Sequence, residues 1–165
     1  MATEKAKTLI NDFGFHTRLI HRIVDGISQE ESLLQPPFEA NCLNWVVGHI
    51  VSNRSHTLEA IDIKHNWQDK VRNVYDSGTE PIKPDSKSIR LDELLQYLDQ
   101  SQVMIDSGLE HTTDEFLNSL FTNYRGEKSR FDHASGFHWH ETYHIGQLDF
   151  LKAMVVSNRK NQPGM

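Results

Sequence analysis

The stretch "HWHETYHIGQ", His138 to Gln147, carries two imidazoles at a spacing that suits a shared metal ion. On an α-helix His140 and His144 project the same way, about 40° apart around the axis and about 6 Å apart along it. His138 points to nearly the opposite side. His133 returns to the same face about 10 Å away, too far for the same coordination shell. The letters also spell His-Glu-x-x-His, in which Glu141 would serve as the general base of a zinc protease. A catalytic zinc site needs three protein ligands and an open position, so a third donor decides the matter.

A zinc protease would find that donor downstream. After His144 the chain offers "IGQLDFLKAMVVSNRKNQPGM", which contains no His or Glu, and Asp149 is turned away from His144 on the same helix. The sequence also lacks a clear strand on which to hold an extended peptide. Upstream, His49 in "NWVVGHIVSN" lies between Trp45, Val46 and Ile50 on an apolar face. An imidazole in such a setting needs partners for its nitrogens. A metal would supply one; a carboxylate or backbone carbonyl is the alternative. His140 and His144 at ligand spacing tilt the choice toward the metal.

Residues 1–165 read as a single domain, with a polar tail from about residue 157. The net charge of −6 disfavours a broad phosphate-binding surface, so no nucleic-acid partner is expected. No segment approaches the roughly 20 apolar residues of a membrane span. Cys42 is the lone cysteine, and "MATEKAKTLINDFGF" lacks a secretory pattern, which together lead us to expect a cytoplasmic location. The ten histidines are dispersed rather than gathered in a terminal tag.

Four segments with helical periodicity must position these groups. The first runs from about Thr3 to Ile27 on Leu9, Phe13, Ile20 and Val24. The second covers about Leu43 to Ile61, with Asn41 or Asn44 available as its cap. The third covers about Leu91 to His111 on Leu94, Leu95, Leu98, Val103 and Ile105, with Asp92 and Glu93 at its positive end. The fourth begins near Phe131 and ends near Val156. Pro36 and Pro37 interrupt the first link, whose length suggests that helices one and two are antiparallel neighbours. The connection from Lys64 to Ser88, with "YDSGTEPIKPDS", reads as a surface excursion long enough to run the length of a bundle. "EFLNSLFTNY" is the best strand candidate and lacks a convincing partner. The expected fold is all-α, a four-helix bundle with a long crossover connection.

Taken in order, "LQPP", "NWVVGHIV" and "HETYHIGQLDFL" resemble the DinB-like superfamily of metal-dependent four-helix-bundle enzymes, from helix one to about Leu151. The resemblance implies a divalent-metal site made by one histidine of helix two and two of the last helix, positions matched by His49, His140 and His144. The residue after the first of those last-helix histidines varies in that family, so Glu141 then needs no catalytic role. The resemblance further implies a homodimer and transfer of a low-molecular-weight thiol, as cosubstrate, to a small-molecule electrophile. Hydrolysis of a small amide-like substrate is the alternative. A noncatalytic metal- or ligand-binding bundle is a third reading. Zn is the first metal expected for three imidazoles, with Ni or Fe as others that accept them.

Around this set, Gly146 is expected to allow close helix approach, and Gln147 to hold a histidine or a metal-bound water. Asn53 and His56 lie on the His49 face and are candidates to line a pocket. His16 and His21 are ambiguous. Trp45 and Trp139 read as packing residues, and Trp67 as a residue to watch for a lid or interface. Cys42 has no base beside it in sequence, and no nucleophile-elbow context exists for a serine.

Overall fold

In the computed structural model, residues 2–83 and 85–161 are described, and they form an antiparallel-and-parallel bundle of four long helices with short elements at its ends. The order is α1 (Glu4–Val24), α2 (Gln29–Ser32), α3 (Leu43–Ala60), α4 (Gln68–Tyr75), α5 (Leu91–Leu109), α6 (Asp114–Asn118), β1 (Leu120–Asn123), β2 (Gly126–Ser129) and α7 (Arg130–Asn161). The expected all-α bundle is present, and no described helix is long and apolar enough to cross a membrane. The expected polar tail is helical as far as Asn161, where Arg159 ties α7 to Glu31 and to the carbonyl of Gly26. Its remaining residues, 162–165, lie outside those described.

α1 and α3 are each packed against both α5 and α7. They therefore stand across the diagonal of the bundle rather than side by side, which corrects the expectation of antiparallel neighbours. The link between them carries α2 over the end of the bundle, where a capping box closed by Ser28 and Glu31 starts that short helix. Contacts set the directions. Lys5 reaches the Phe131 ring while Lys152 reaches the carbonyl of Arg22, so α1 and α7 run parallel. Arg130 at the start of α7 donates to the carbonyl of Ala60 at the end of α3, so those two are antiparallel. Asn44 at the start of α3 donates to the carbonyl of Ile89 just before α5, so α3 and α5 are parallel and need a crossover.

That crossover contains a helix not expected from the sequence. Asp62 turns the chain in a left-handed conformation (φ 62°), and α4 then runs back along α3. Trp67 is buried here, stacked on Tyr97 at 5.3 Å, and so is a packing residue rather than a lid. Because α4, α5 and α7 surround α3, every residue from Leu43 to Leu58 is buried, including Ser52, Asn53, Arg54, Ser55, His56 and Thr57. The N-cap of α3 is Cys42, without a side-chain bond; Asn44 is buried inside the helix and Asn41 does not cap it.

The strand candidate does find a partner. β1 and β2 form a hairpin in which Asn123 pairs with Gly126 around the two-residue loop Tyr124–Arg125. Gly126 takes a φ of 90°, which an L-residue avoids. "GEKS" is exposed and polar, so it gives no period-two signal. Two residues expected to pack do not: Val103 and Trp139 are exposed.

Candidate metal centre

The side chains of His49, His140 and His144 converge between α3 and α7. Nε2 of His140 lies 3.2 Å from Nε2 of His49 and 3.0 Å from Nε2 of His144, and the donor atoms of all three fall within 4.8 Å of one another. Tetrahedral zinc–imidazole bonds of about 2.0–2.1 Å place neighbouring nitrogens about 3.3 Å apart, so the cluster is close to ligand spacing.

Nδ1 of His49 lies 2.7 Å from the carbonyl oxygen of Tyr75, and Nδ1 of His144 lies 2.7 Å from Oε1 of Gln147. Both oxygens can only accept, so each Nδ1 carries the proton and each Nε2 presents a lone pair. A neutral His140 can donate from Nε2 to only one of them, which leaves one pair of lone pairs opposed. A cation at the centre removes that conflict, and the donor set therefore fits a divalent metal. Burial pushes the His49 and His140 pKa values down to about 4, and the neighbouring imidazoles add to the effect. Burial also lowers that of His144, partly offset by Gln147. At neutral pH all three rings are neutral and their lone pairs are free to ligate.

Of the two alternatives raised for His49, the backbone carbonyl is present at Nδ1, and Nε2 remains available to a metal. Its ring is stacked on Trp45 at 4.8 Å with a 10° interplanar angle. Its carbonyl partner is the last residue of α4, where unpaired helix carbonyls accumulate negative charge and make the imidazole a better ligand. α4 can come this close because residue 48 is glycine. A Cβ there would sit 2.3 Å from the Tyr75 ring, which is itself anchored by its hydroxyl to Asn44 and to the amide of Ile89. We expect Gly48→Ala to displace Tyr75, free Nδ1 of His49 and weaken metal binding about 10–100-fold, as loss of a ligand's hydrogen-bond partner does. Competition titration against a chelator measures this, and an unchanged affinity would show that Tyr75 does not orient His49.

Glu141 follows His140 but faces away from the triad, into a buried ion pair with Arg54. Nε and Nη2 of Arg54 donate to its two carboxylate oxygens at 2.7 and 2.6 Å. Arg54 also donates to Gln102, to Thr17 and to the carbonyl of Phe13, so its charge is fully engaged. Burial would raise the Glu141 pKa, but the Arg54 charge and its hydrogen bonds win and hold it below the usual carboxylate value. Sequence reasoning passed over Arg54; an arginine inside the "HIVSNRSHTL" segment was its only signal.

The other histidines stand outside the cluster. His16 and His138 stack on each other at 4.1 Å beside Glu141. His133 faces Asn123 and the carbonyl of Phe121, and His21 pairs with Asp99. Nε2 of His56 is 3.1 Å from Asp76, and its ring stacks on Phe137. Asn53 is buried and donates to the carbonyl of His49. Cys42 is buried with a raised pKa, caused mainly by desolvation, which suits an inert thiol. Gly146 has nothing within 4 Å of its would-be Cβ, so it permits no close helix approach. It instead lines a cavity of about 640 Å³ with Phe38, Trp45, Tyr143, His144, Gln147 and Phe150.

A family model described as the DinB superfamily matches residues 13–148, a span that contains all three histidines. A solved crystal structure of a conserved protein from Enterococcus faecalis has a similar fold, with a TM-score of 0.74 and 13% identity over 94% of this chain and 99% of that one. No curated protein matches the sequence.

Proposed function

The chain belongs to the DinB superfamily, and on that premise we propose that it is a metal-dependent enzyme joining a low-molecular-weight thiol to a small electrophile. The observation that carries this reading is the convergence of three neutral imidazole nitrogens beside a cavity. A divalent ion held by three imidazoles keeps its full charge and an open position, and so favours a bound thiolate or hydroxide at neutral pH. Zn suits the three nitrogens best, with Ni or Fe as the other candidates.

The chain's own groups supply the rest. Tyr75 and Gln147 hold His49 and His144 by their Nδ1 atoms and so aim both Nε2 atoms inward. Phe38, Trp45, Tyr143 and Phe150 line the cavity with aromatic surface, which favours an electrophile with an apolar body. The buried Cys42 thiol does not compete as a nucleophile. The homodimer is part of the proposal, supported by Trp139, Tyr143 and Phe150, which are exposed on one face of α7. Hydrolysis of a small amide-like substrate uses the same residues and is the second reading.

Metal analysis of untagged protein, joined to mass spectrometry of products from thiol and electrophile panels, tests the proposal. We expect about one divalent ion per chain and a thioether product that disappears on chelation. Hydrolysed electrophile without thioether would move the function to the second reading. Protein that takes up no divalent ion would end both.

A further inference from the structure

Arg125 sits in the hairpin loop and leans over the turn of α7 that precedes His140. Its Cζ is 4.1 Å from the centre of the Phe137 ring, and its Nη1 comes within 3.9 Å of where a Cβ of Gly136 would stand. Phe137 and Gly136 are three and four residues before His140, so the guanidinium occupies the same helix face one turn away. His140 is the member of the triad with the greatest exposure, whereas His49 and His144 are buried.

Among the described residues the cation has no protein counter-ion. Arg54, Arg72, Arg90 and Arg159 each hold a carboxylate. No carboxylate lies within 4 Å of Arg125 among the described residues, and its Cζ stands 4.1 Å from the centre of the Phe137 ring and 5.6 Å from that of Tyr124. The nearby acid, Asp76, is engaged by His56 at 3.1 Å and by the amide of Ser77 at 2.9 Å. A guanidinium packed against aromatic rings is held in place and loses little further freedom on binding, and its fork of N–H donors suits a planar anion.

We propose that Arg125 is a substrate-anchoring residue that binds a carboxylate carried by the thiol or other small molecule at the three-histidine site. This rests on the metal-and-thiol reading above, and it assigns the ligand class as anionic. The hairpin then has a role beyond connecting α6 to α7: its two-residue loop holds a cation one helical turn from His140, the most exposed member of the triad.

The test uses Co(II)-loaded protein, in which a bound thiolate gives a charge-transfer absorption band. 4-Mercaptobutanoate and its neutral amide, 4-mercaptobutanamide, are titrated against the wild type, Arg125→Met and Arg125→Lys. Methionine keeps the contact with Phe137 but removes the charge, and circular dichroism confirms that each variant is folded. We expect the carboxylate to bind at least tenfold more tightly than the amide in the wild type, an order of magnitude typical of one charge-assisted pair. The ratio should fall to about one in Arg125→Met and be partly kept in Arg125→Lys, with the amide affinity nearly constant. A band with both ligands and the same ratio in wild type and Arg125→Met would overturn the anchor while leaving the thiol site standing. Absence of a band with either ligand in the wild type would remove the metal–thiol reading and the anchor with it.

Discussion

His144→Ala should lose its metal. Removing an outer partner of a ligating histidine costs about 10–100-fold in affinity, so removing a ligand outright should cost more than about 100-fold. The two remaining imidazoles, on α3 and α7, cannot close a site that needs three donors. His144 also bears the hydrogen bond to Gln147, and Gln147→Ala should therefore show the smaller effect at the same ring. Chelator competition followed by metal analysis reads both variants on one scale. Metal retained at wild-type affinity by His144→Ala would show that the ion, if any, is held elsewhere. Thiol-transfer turnover, where found, should vanish together with the metal in His144→Ala and should not return on adding thiol alone.

Glu141→Gln should produce the opposite pattern, with the metal kept and stability lost. Arg54 is fully buried and Glu141 is its charge partner. Taking away one member of such a pair strands the other charge, at a cost of about 3–5 kcal/mol. For a chain of this length each kcal/mol shifts the melting temperature by about 2–4 °C, so the variant should melt roughly 6 °C or more below the wild type. Replacing both residues, Arg54→Met with Glu141→Leu, should recover much of that loss, since apolar side chains of similar volume remove both buried charges together. The three histidines are untouched, and metal affinity should change little. A zinc protease behaves in reverse: loss of its glutamate base spares stability and metal but collapses turnover. An unchanged melting temperature with abolished metal-dependent activity would restore Glu141 as a base. Calorimetry tests this variant before any substrate is known.

The structural role of Glu141 marks the boundary of what could be read from the sequence. The four-residue interval between His140 and His144 fixes their common direction on any helix, and the apolar neighbours of His49 point it to an interior. Periodicity likewise located four long helices, and the proline- and glycine-bearing link from Lys64 to Ser88 was long enough to require attention. These are local properties. They follow from helix geometry and from the preference of apolar surface for burial, whatever the rest of the chain does.

Arg54 and Glu141 are 87 residues apart, and nothing local joins them. The burial of both follows from α3 being enclosed on three sides, which a one-sided amphipathic stripe does not announce. Tyr75 meets His49 only because an unexpected helix runs back along α3 and Gly48 leaves it room. The diagonal placement of α1 and α3 and the pairing of an all-polar strand with β1 belong to the same class. By itself the sequence determined which imidazoles could share an ion and which segments carry them. Only the tertiary structure decided their partners, because hydrogen bonds and ion pairs between distant residues depend on the path of the connections, and that path is set by the packing of the whole bundle.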